Sequence, residues 1–201
     1  MTREIIAILR GIKPDEVAEI TDALISEGIS KIEVPLNSPD PFTSIERMLK
    51  HAGDRATIGA GTVLDEEAVK QLAGIGAKMV VSPDCNSDVI QATKASNMLS
   101  YPGVFTASES FTALRNGADG LKFFPASLLG IEGFKALKSV LPANTKTYAV
   151  GGVGPSNFQE WEAAGITGFG MGSSLYKPGI TAREIALNAR ETVKAYDHFF
   201  N

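Results

Sequence analysis

Lys31-Ile32-Glu33-Val34-Pro35-Leu36 is a short β-rich run in which Ile32, Val34 and Leu36 fall on one side and Glu33 with Pro35 on the other. Seven more runs of this kind follow the same rhythm: Ile5 to Leu9, Thr57 to Thr62, Lys78 to Pro83, Leu99 to Val104, Gly120 to Pro125, Thr147 to Val153 and Gly168 to Ser173. Between them the apolar period lengthens toward that of a helix. Examples are Pro14 to Ser26, with Val17, Ile20, Ala23 and Leu24 on one face, Glu66 to Ile75, and Ala182 to Phe199. Asp15 beside Pro14 and Asp65-Glu66-Glu67 open helices, while Gly28, Gly76 and Gly117 sit where helices stop. Eight strands alternating with helices specify parallel pairing. A strand-helix unit of roughly 25 residues, iterated eight times, nearly exhausts the chain. The expected fold is therefore an α/β (β/α)8 TIM barrel, one domain over residues 1–201. An open doubly wound sheet is the alternative, disfavoured because neither G-x-G-x-x-G nor G-x-x-x-x-G-K-[ST] follows the first strand.

Composition narrows the function classes. Hydrophobic residues at 44% and charged residues at 21% describe an ordinary globular chain, which excludes disorder and fibres. A net charge of −4 lacks the basic excess that would draw the chain to nucleic acid or an anionic membrane, so neither is an expected partner. The apolar stretch Ile5 to Leu9 is too short for a signal peptide or a membrane span, and no later run approaches the required length, so a cytoplasmic location is expected. Cys85 alone allows no internal disulfide, and with only His51 and His198 the usual His/Cys metal sites cannot be assembled. No metal and no cofactor is expected; any metal site would have to be built of carboxylates.

If Ile32, Val34 and Leu36 pack against helices, Glu33 points into the barrel, where an unpaired carboxylate is costly. The sixth run behaves alike: Leu121 and Phe123 face out, while Gly120, Lys122 and Phe124 face in. Desolvation lowers a lysine pKa and raises the fraction of nucleophilic amine. The second and sixth strands lie opposite one another in an eight-stranded closure, so both side chains can reach one central substrate. The structural alternatives are an interior Lys122–Glu33 ion pair, or a one-residue shift of register that puts both in solvent. Lys31, which begins its strand, is expected at the far face.

Arg10 ends the first strand just before Gly11, where its planar fork can grip a carboxylate or phosphate or simply lie exposed in a loop. Gly59-Ala60-Gly61-Thr62 ends the third strand with little side-chain volume before a hydroxyl, leaving space for a ligand or marking tight backbone packing. Val150-Gly151-Gly152-Val153 and Gly170-Met171-Gly172-Ser173-Ser174 end the last two strands, the place where barrels commonly bind phosphate. A desolvated lysine, a carboxylate, an arginine and an anion cradle suit Schiff-base chemistry on a phosphorylated keto acid: the imine accepts the electrons of a breaking C–C bond while the carboxylate moves protons.

Glu33-Val34-Pro35-Leu36-Asn37-Ser38-Pro39, Gly59-Ala60-Gly61-Thr62-Val63-Leu64, Ser82-Pro83, Leu121-Lys122-Phe123-Phe124-Pro125 and Val150-Gly151-Gly152-Val153, in this order, resemble the 2-keto-3-deoxy-6-phosphogluconate and 6-phosphogalactonate aldolases over essentially the whole chain. The resemblance implies a homotrimeric class I aldolase of the TIM-barrel type that releases pyruvate and glyceraldehyde 3-phosphate. By position it implies Lys122 as the Schiff-base lysine, Glu33 as the general acid/base and Thr62 at the pyruvyl end. Gly151, Gly152, Gly172 and Ser173 would hold the phosphate, with Asn37, Pro83, Phe124 and Val150 among the substrate contacts. Two departures separate the siblings. The gluconate enzymes carry Arg where this chain has Asn37 and Thr where it has Val150, whereas Arg10-Gly11 looks like the galactonate branch, in which an arginine ending the first strand grips the substrate carboxylate. The resemblance thus favours the galactonate epimer, with Asn37 then mattering less; activity on the gluconate epimer, or on both, is the alternative. A non-catalytic phosphosugar-binding barrel and a phosphate-binding isomerase or decarboxylase barrel are the rivals from other classes.

Overall fold

Parallel strands whose alternate residues face opposite ways must fill two cores, one between sheet and helices and one inside the barrel. The computed structural model, which describes residues 3–200, has both; Met1, Thr2 and Asn201 of the expected domain lie outside the described residues. The strands are β1 (Ile5–Ile8), β2 (Lys31–Pro35), β3 (Thr57–Gly61), β4 (Met79–Val81), β5 (Leu99–Tyr101), β6 (Gly103–Val104), β7 (Leu121–Phe123), β8 (Thr147–Val150) and β9 (Gly168–Met171). The helices are α1 (Val17–Ser26), α2 (Pro41–Ala52), α3 (Glu66–Gly74), α4 (Ser87–Ala95), α5 (Ala107–Arg115), α6 (Ala126–Lys138), α7 (Phe158–Ala163) and α8 (Ala182–Phe200). All pairings are parallel, in the order β5-β4-β3-β2-β1-β9-β8-β7-β6. This is a TIM-barrel fold. None of the described helices is long and apolar enough to cross a membrane.

The eight expected runs become nine strands because Leu99 to Val104 is interrupted at Pro102. Proline has no N–H to give the ladder. The two halves form the two ends of the sheet, and the barrel closes through them: Ser82 N and Gly103 N link this run to the β4 side, while Asp119 N donates to Ser100 O and Lys122 N to Pro102 O, each at 2.9 Å. Other strands stop earlier than expected at their carboxyl ends. Thr62 (φ 56°) follows β3, and Gly151 (φ 91°) with Gly152 (φ 75°) follows β8, so the backbone leaves the sheet where the cavity begins. Helix α1 runs from Val17 rather than Pro14; residues 13–16 form a separate turn before it, Glu16 N donating to Lys13 O at 3.1 Å and the Glu16 carboxylate accepting from Lys13 N at 2.9 Å. Asp65 caps α3 as expected, accepting from Ala68 N at 2.8 Å.

Outward residues of the strands, including Ile32, Val34, Leu121 and Phe123, belong to the large helix-facing core. Ile6, Ile8, Met79, Val81, Tyr101, Tyr148 and Val150 form the separate core inside the barrel. The register expected for β2 and the Lys122 strand is therefore the observed one. The amino-terminal end of the barrel is closed by a polar network. Glu4 is paired with Lys31 and with Lys146 (3.0 Å), and accepts from the Tyr148 hydroxyl at 2.6 Å. Tyr148 meets Tyr101 edge-on, ring centroids 5.2 Å apart. Lys31 thus lies at the far face, as expected.

Burial alone would push the Glu4 carboxyl up, but the bonds from Lys31, Tyr148 and Lys146 together outweigh it and hold it at about 2, against an ordinary 4.5. A depressed carboxyl contributes stability that is complete above the ordinary pKa and lost as pH falls through the folded one. Glu4→Gln is expected to lower the unfolding free energy by about 2 kcal/mol at neutral pH, the scale of a hydrogen bond to a charged group. Denaturant titrations of wild type and variant should converge as pH falls from about 4.5 toward about 2. A deficit that does not shrink over that window would show that the charge on Glu4 is not what stabilises the barrel floor.

Candidate active site

At the carboxyl ends of the strands the barrel is not filled. A cavity of about 430 Å³ opens there, lined by Arg10, Glu33, Thr62, Pro83, Lys122, Phe124, Val150, Gly151, Gly152, Gly172 and Ser173, together with Ile8, Val153, Gly170, Ser174 and Lys177. Eleven of the twelve residues singled out in the sequence line this one space. The twelfth, Asn37, does not; its Oδ1 accepts a hydrogen bond from Arg10 Nη1. Sequence reading missed Lys177, although a cation three residues after Ser174 and beside a glycine-rich strand end is a readable signal. Ile8 was equally accessible, being two residues before Arg10 and inward by alternation.

Glu33 and Lys122 are both buried, and their strands, β2 and β7, are four apart around the barrel in either direction when β5 and β6 are counted as the one interrupted run. Burial pushes the Glu33 carboxyl up to about 7, only partly opposed by the positive charges of Lys122 and Arg10. Burial pulls the Lys122 ammonium down, with Arg10 adding to that effect and the Glu33 and Asp84 carboxylates opposing it. Both groups are driven toward their neutral forms. Among the described residues they form no salt bridge, so an interior ion pair is not what holds them. Glu33 Oε2 is buried without a hydrogen-bond partner, an acceptor left unsatisfied in a residue that lines the cavity. Lys122 Nζ stands 4.9 Å from the Phe124 ring centroid, over its face.

Small residues shape the space around these groups. A Cβ on Gly61 would lie 2.1 Å from Glu33 Oε2, and one on Gly170 would lie 2.7 Å from Val150 Cγ2. Thr62 holds a left-handed φ of 56°, a conformation that costs a non-glycine residue about 1 kcal/mol or more and that turns the chain as it leaves β3. On the far wall, Ser127 N donates to Gly151 O at 3.0 Å, and a Cβ on Gly152 would meet Ser127 Cβ at 2.6 Å. Leu175 N and Tyr176 N both donate to Gly172 O at 2.9 Å, folding 172–176 into a tight turn. Two glycine-bearing turns with serine hydroxyls thus lie side by side, the arrangement that binds anions through backbone amides.

Fold and site together define a TIM-barrel enzyme with a buried lysine and a buried carboxylate facing one cavity. Residues 1–190 match the KDPG and KHG aldolase family, and the chain belongs to it. It is 49% identical over 197 residues, 98% of this chain and 93% of the relative, to a probable 2-dehydro-3-deoxy-6-phosphogalactonate aldolase of Rhizobium meliloti (strain 1021). It is 46% identical over 192 residues, 96% of this chain and 94% of the relative, to the 2-dehydro-3-deoxy-6-phosphogalactonate aldolase of Escherichia coli (strain K12). A solved structure titled native KDPGal matches with a TM-score of 0.95 at 46% identity, covering 96% of this chain and 94% of that one. The protein is an aldolase.

Because the Gly61 Cα faces the Glu33 carboxylate, Gly61→Ala must displace that carboxylate while leaving an ordinary backbone conformation. The expected result is a folded protein whose turnover falls at least about tenfold, the scale of a misplaced catalytic group. Normal aldol cleavage by Gly61→Ala would mean that the position of Glu33 does not matter.

Proposed function

We propose that this chain cleaves 2-dehydro-3-deoxy-6-phosphogalactonate to pyruvate and glyceraldehyde 3-phosphate by class I chemistry. The single observation that carries this reading is Lys122, a desolvated amine facing a cavity beside an unpartnered carboxylate. The neutral amine attacks the C2 ketone, water leaves, and a protonated imine forms on Nζ. Glu33 takes the proton from the C4 hydroxyl; the C3–C4 bond breaks, and its electron pair passes into the imine to give an enamine. The aldehyde departs, C3 is reprotonated, and water hydrolyses the imine to return pyruvate and the free lysine. Arg10 grips the substrate carboxylate and Thr62 the pyruvyl end. The amides of Gly151, Gly152, Gly172 and Ser173 hold the phosphate, with Pro83, Phe124 and Val150 closing the walls.

Support for the galactonate epimer comes from two relatives of that name at 49% and 46% identity, and from Arg10, an arginine, at the cavity edge. The proposal includes a cytoplasmic homotrimer acting in galactonate degradation. An assembled state is supported by Leu64, Phe105 and Leu128, large apolar side chains left exposed on loops at the carboxyl ends of β3 and β6 and on α6.

Borohydride reduction in the presence of pyruvate should mark wild type covalently and leave Lys122→Ala unmarked, as read by intact mass. Glu33→Gln should keep shape and lose turnover by about 10²-fold or more. An adduct on the Lys122→Ala protein would move the chemistry to another amine. Val150 presents methyl groups to the cavity, so Val150→Thr supplies a hydroxyl at nearly constant volume. The kcat/KM ratio of gluconate over galactonate epimer is expected to rise by about 1–2 kcal/mol, one neutral hydrogen bond. A wild type that already prefers the gluconate epimer, or an unmoved ratio, would overturn the epimer assignment.

A further inference from the structure

We infer that Asn37 is a positioning residue for Arg10, and that the Asn37-Ser38 turn fixes the carboxylate-binding end of the site without touching the substrate. The inference rests on the reading of Arg10 as the carboxylate grip. Arg10 is exposed, and the end of a long exposed side chain is ordinarily free to move among rotamers. Here it is tied: Arg10 Nη1 donates to Asn37 Oδ1. The next residue is tied to the next residue as well, Gly11 N donating to Ser38 Oγ at 2.9 Å. Ser38 is itself buried and anchored, its N–H donating to Pro35 O at 2.9 Å. The two bonds continue the β1–β2 ladder beyond the point where the strands end, the last rung being Leu9 N to Glu33 O at 3.0 Å.

Gly11 is held on its other side too. A Cβ there would lie 2.7 Å from Pro178 Cγ, so the β1–α1 loop is wedged between the turn after β2 and the loop after β9. The chemistry of the tether suits its purpose. An amide oxygen orients the guanidinium without cancelling its charge, leaving the cation and its remaining N–H groups for an anionic ligand. A carboxylate at the same place would pair with Arg10 and compete with that ligand. Asn37 does not line the cavity, and its link to the site runs through Arg10.

The test is a double-mutant cycle on the full chain, reading KM and kcat for the galactonate epimer and the Kd of pyruvate. Arg10→Ala should raise KM and Kd. Asn37→Leu, which removes the acceptor at similar volume, should raise both about tenfold with kcat within about twofold. In the Arg10→Ala background, Asn37→Leu should change KM by less than about twofold. Asn37→Asp should also raise KM, despite keeping an acceptor. Ser38→Ala, which frees the Gly11 amide and leaves Asn37 intact, should act in the same direction and be equally silent without Arg10. An unchanged KM in Asn37→Leu, or an equal rise with and without Arg10, overturns the inference, the latter placing Asn37 on the substrate itself. An Arg10→Ala protein with unchanged KM instead overturns the reading of Arg10 and removes the premise.

Discussion

Strands that close on themselves leave half of their side chains no exit, and this constraint governs the molecule. Every second residue of β1 to β9 points into the closed lumen, so inward residues either pack or are largely desolvated. At the amino-terminal end the lumen is packed by Tyr101, Tyr148, Met79 and Ile6, and its charges are matched: Glu4 is held by Lys31, Lys146 and the Tyr148 hydroxyl. At the carboxyl end the same closure strips Glu33 and Lys122 of water without giving them a salt bridge. One end spends its buried charge on closure, and the other leaves it free for chemistry.

That division explains why two buried charge clusters in one barrel move in opposite directions. Glu4 is stabilised as an anion because three donors outweigh burial. Glu33 rises and Lys122 falls because burial outweighs their attraction across the lumen. A class I aldolase needs the second arrangement, an amine neutral enough to attack a ketone and a carboxyl able to take up and return a proton. Glycine at 61 is part of the same electrostatic design, since a methyl group there would take the volume of the Glu33 carboxylate, whereas one at 170 would collide with the apolar wall at Val150 and Ile8.

The inward set was legible in the sequence because period-two alternation around Ile32-Glu33-Val34 and Leu121-Lys122-Phe123 admits one orientation once a helix-facing core exists. The glycine-rich ends of β8 and β9 were legible for a similar reason, lying next to one another by topology. The break at Pro102 was readable from the missing N–H alone. Strand ends were less so: where β3 yields to Thr62 is decided by a left-handed backbone that nothing in the threonine demands. The Arg10–Asn37 contact joins loops 27 residues apart, a pairing that depends on where β1 and β2 stop. Lys177 was legible only by its place three residues beyond Ser174 at the glycine-rich end of β9, since its irregular segment has no periodicity to orient it.

The most direct measurement is a crystal structure of the wild-type protein after exposure to pyruvate. The account predicts continuous density from Lys122 Nζ to the C2 atom of pyruvate, with the carboxylate turned toward Arg10 and Glu33 within hydrogen-bond reach of the adduct. Pyruvate bound without a covalent link, or linked to a different lysine, would contradict it.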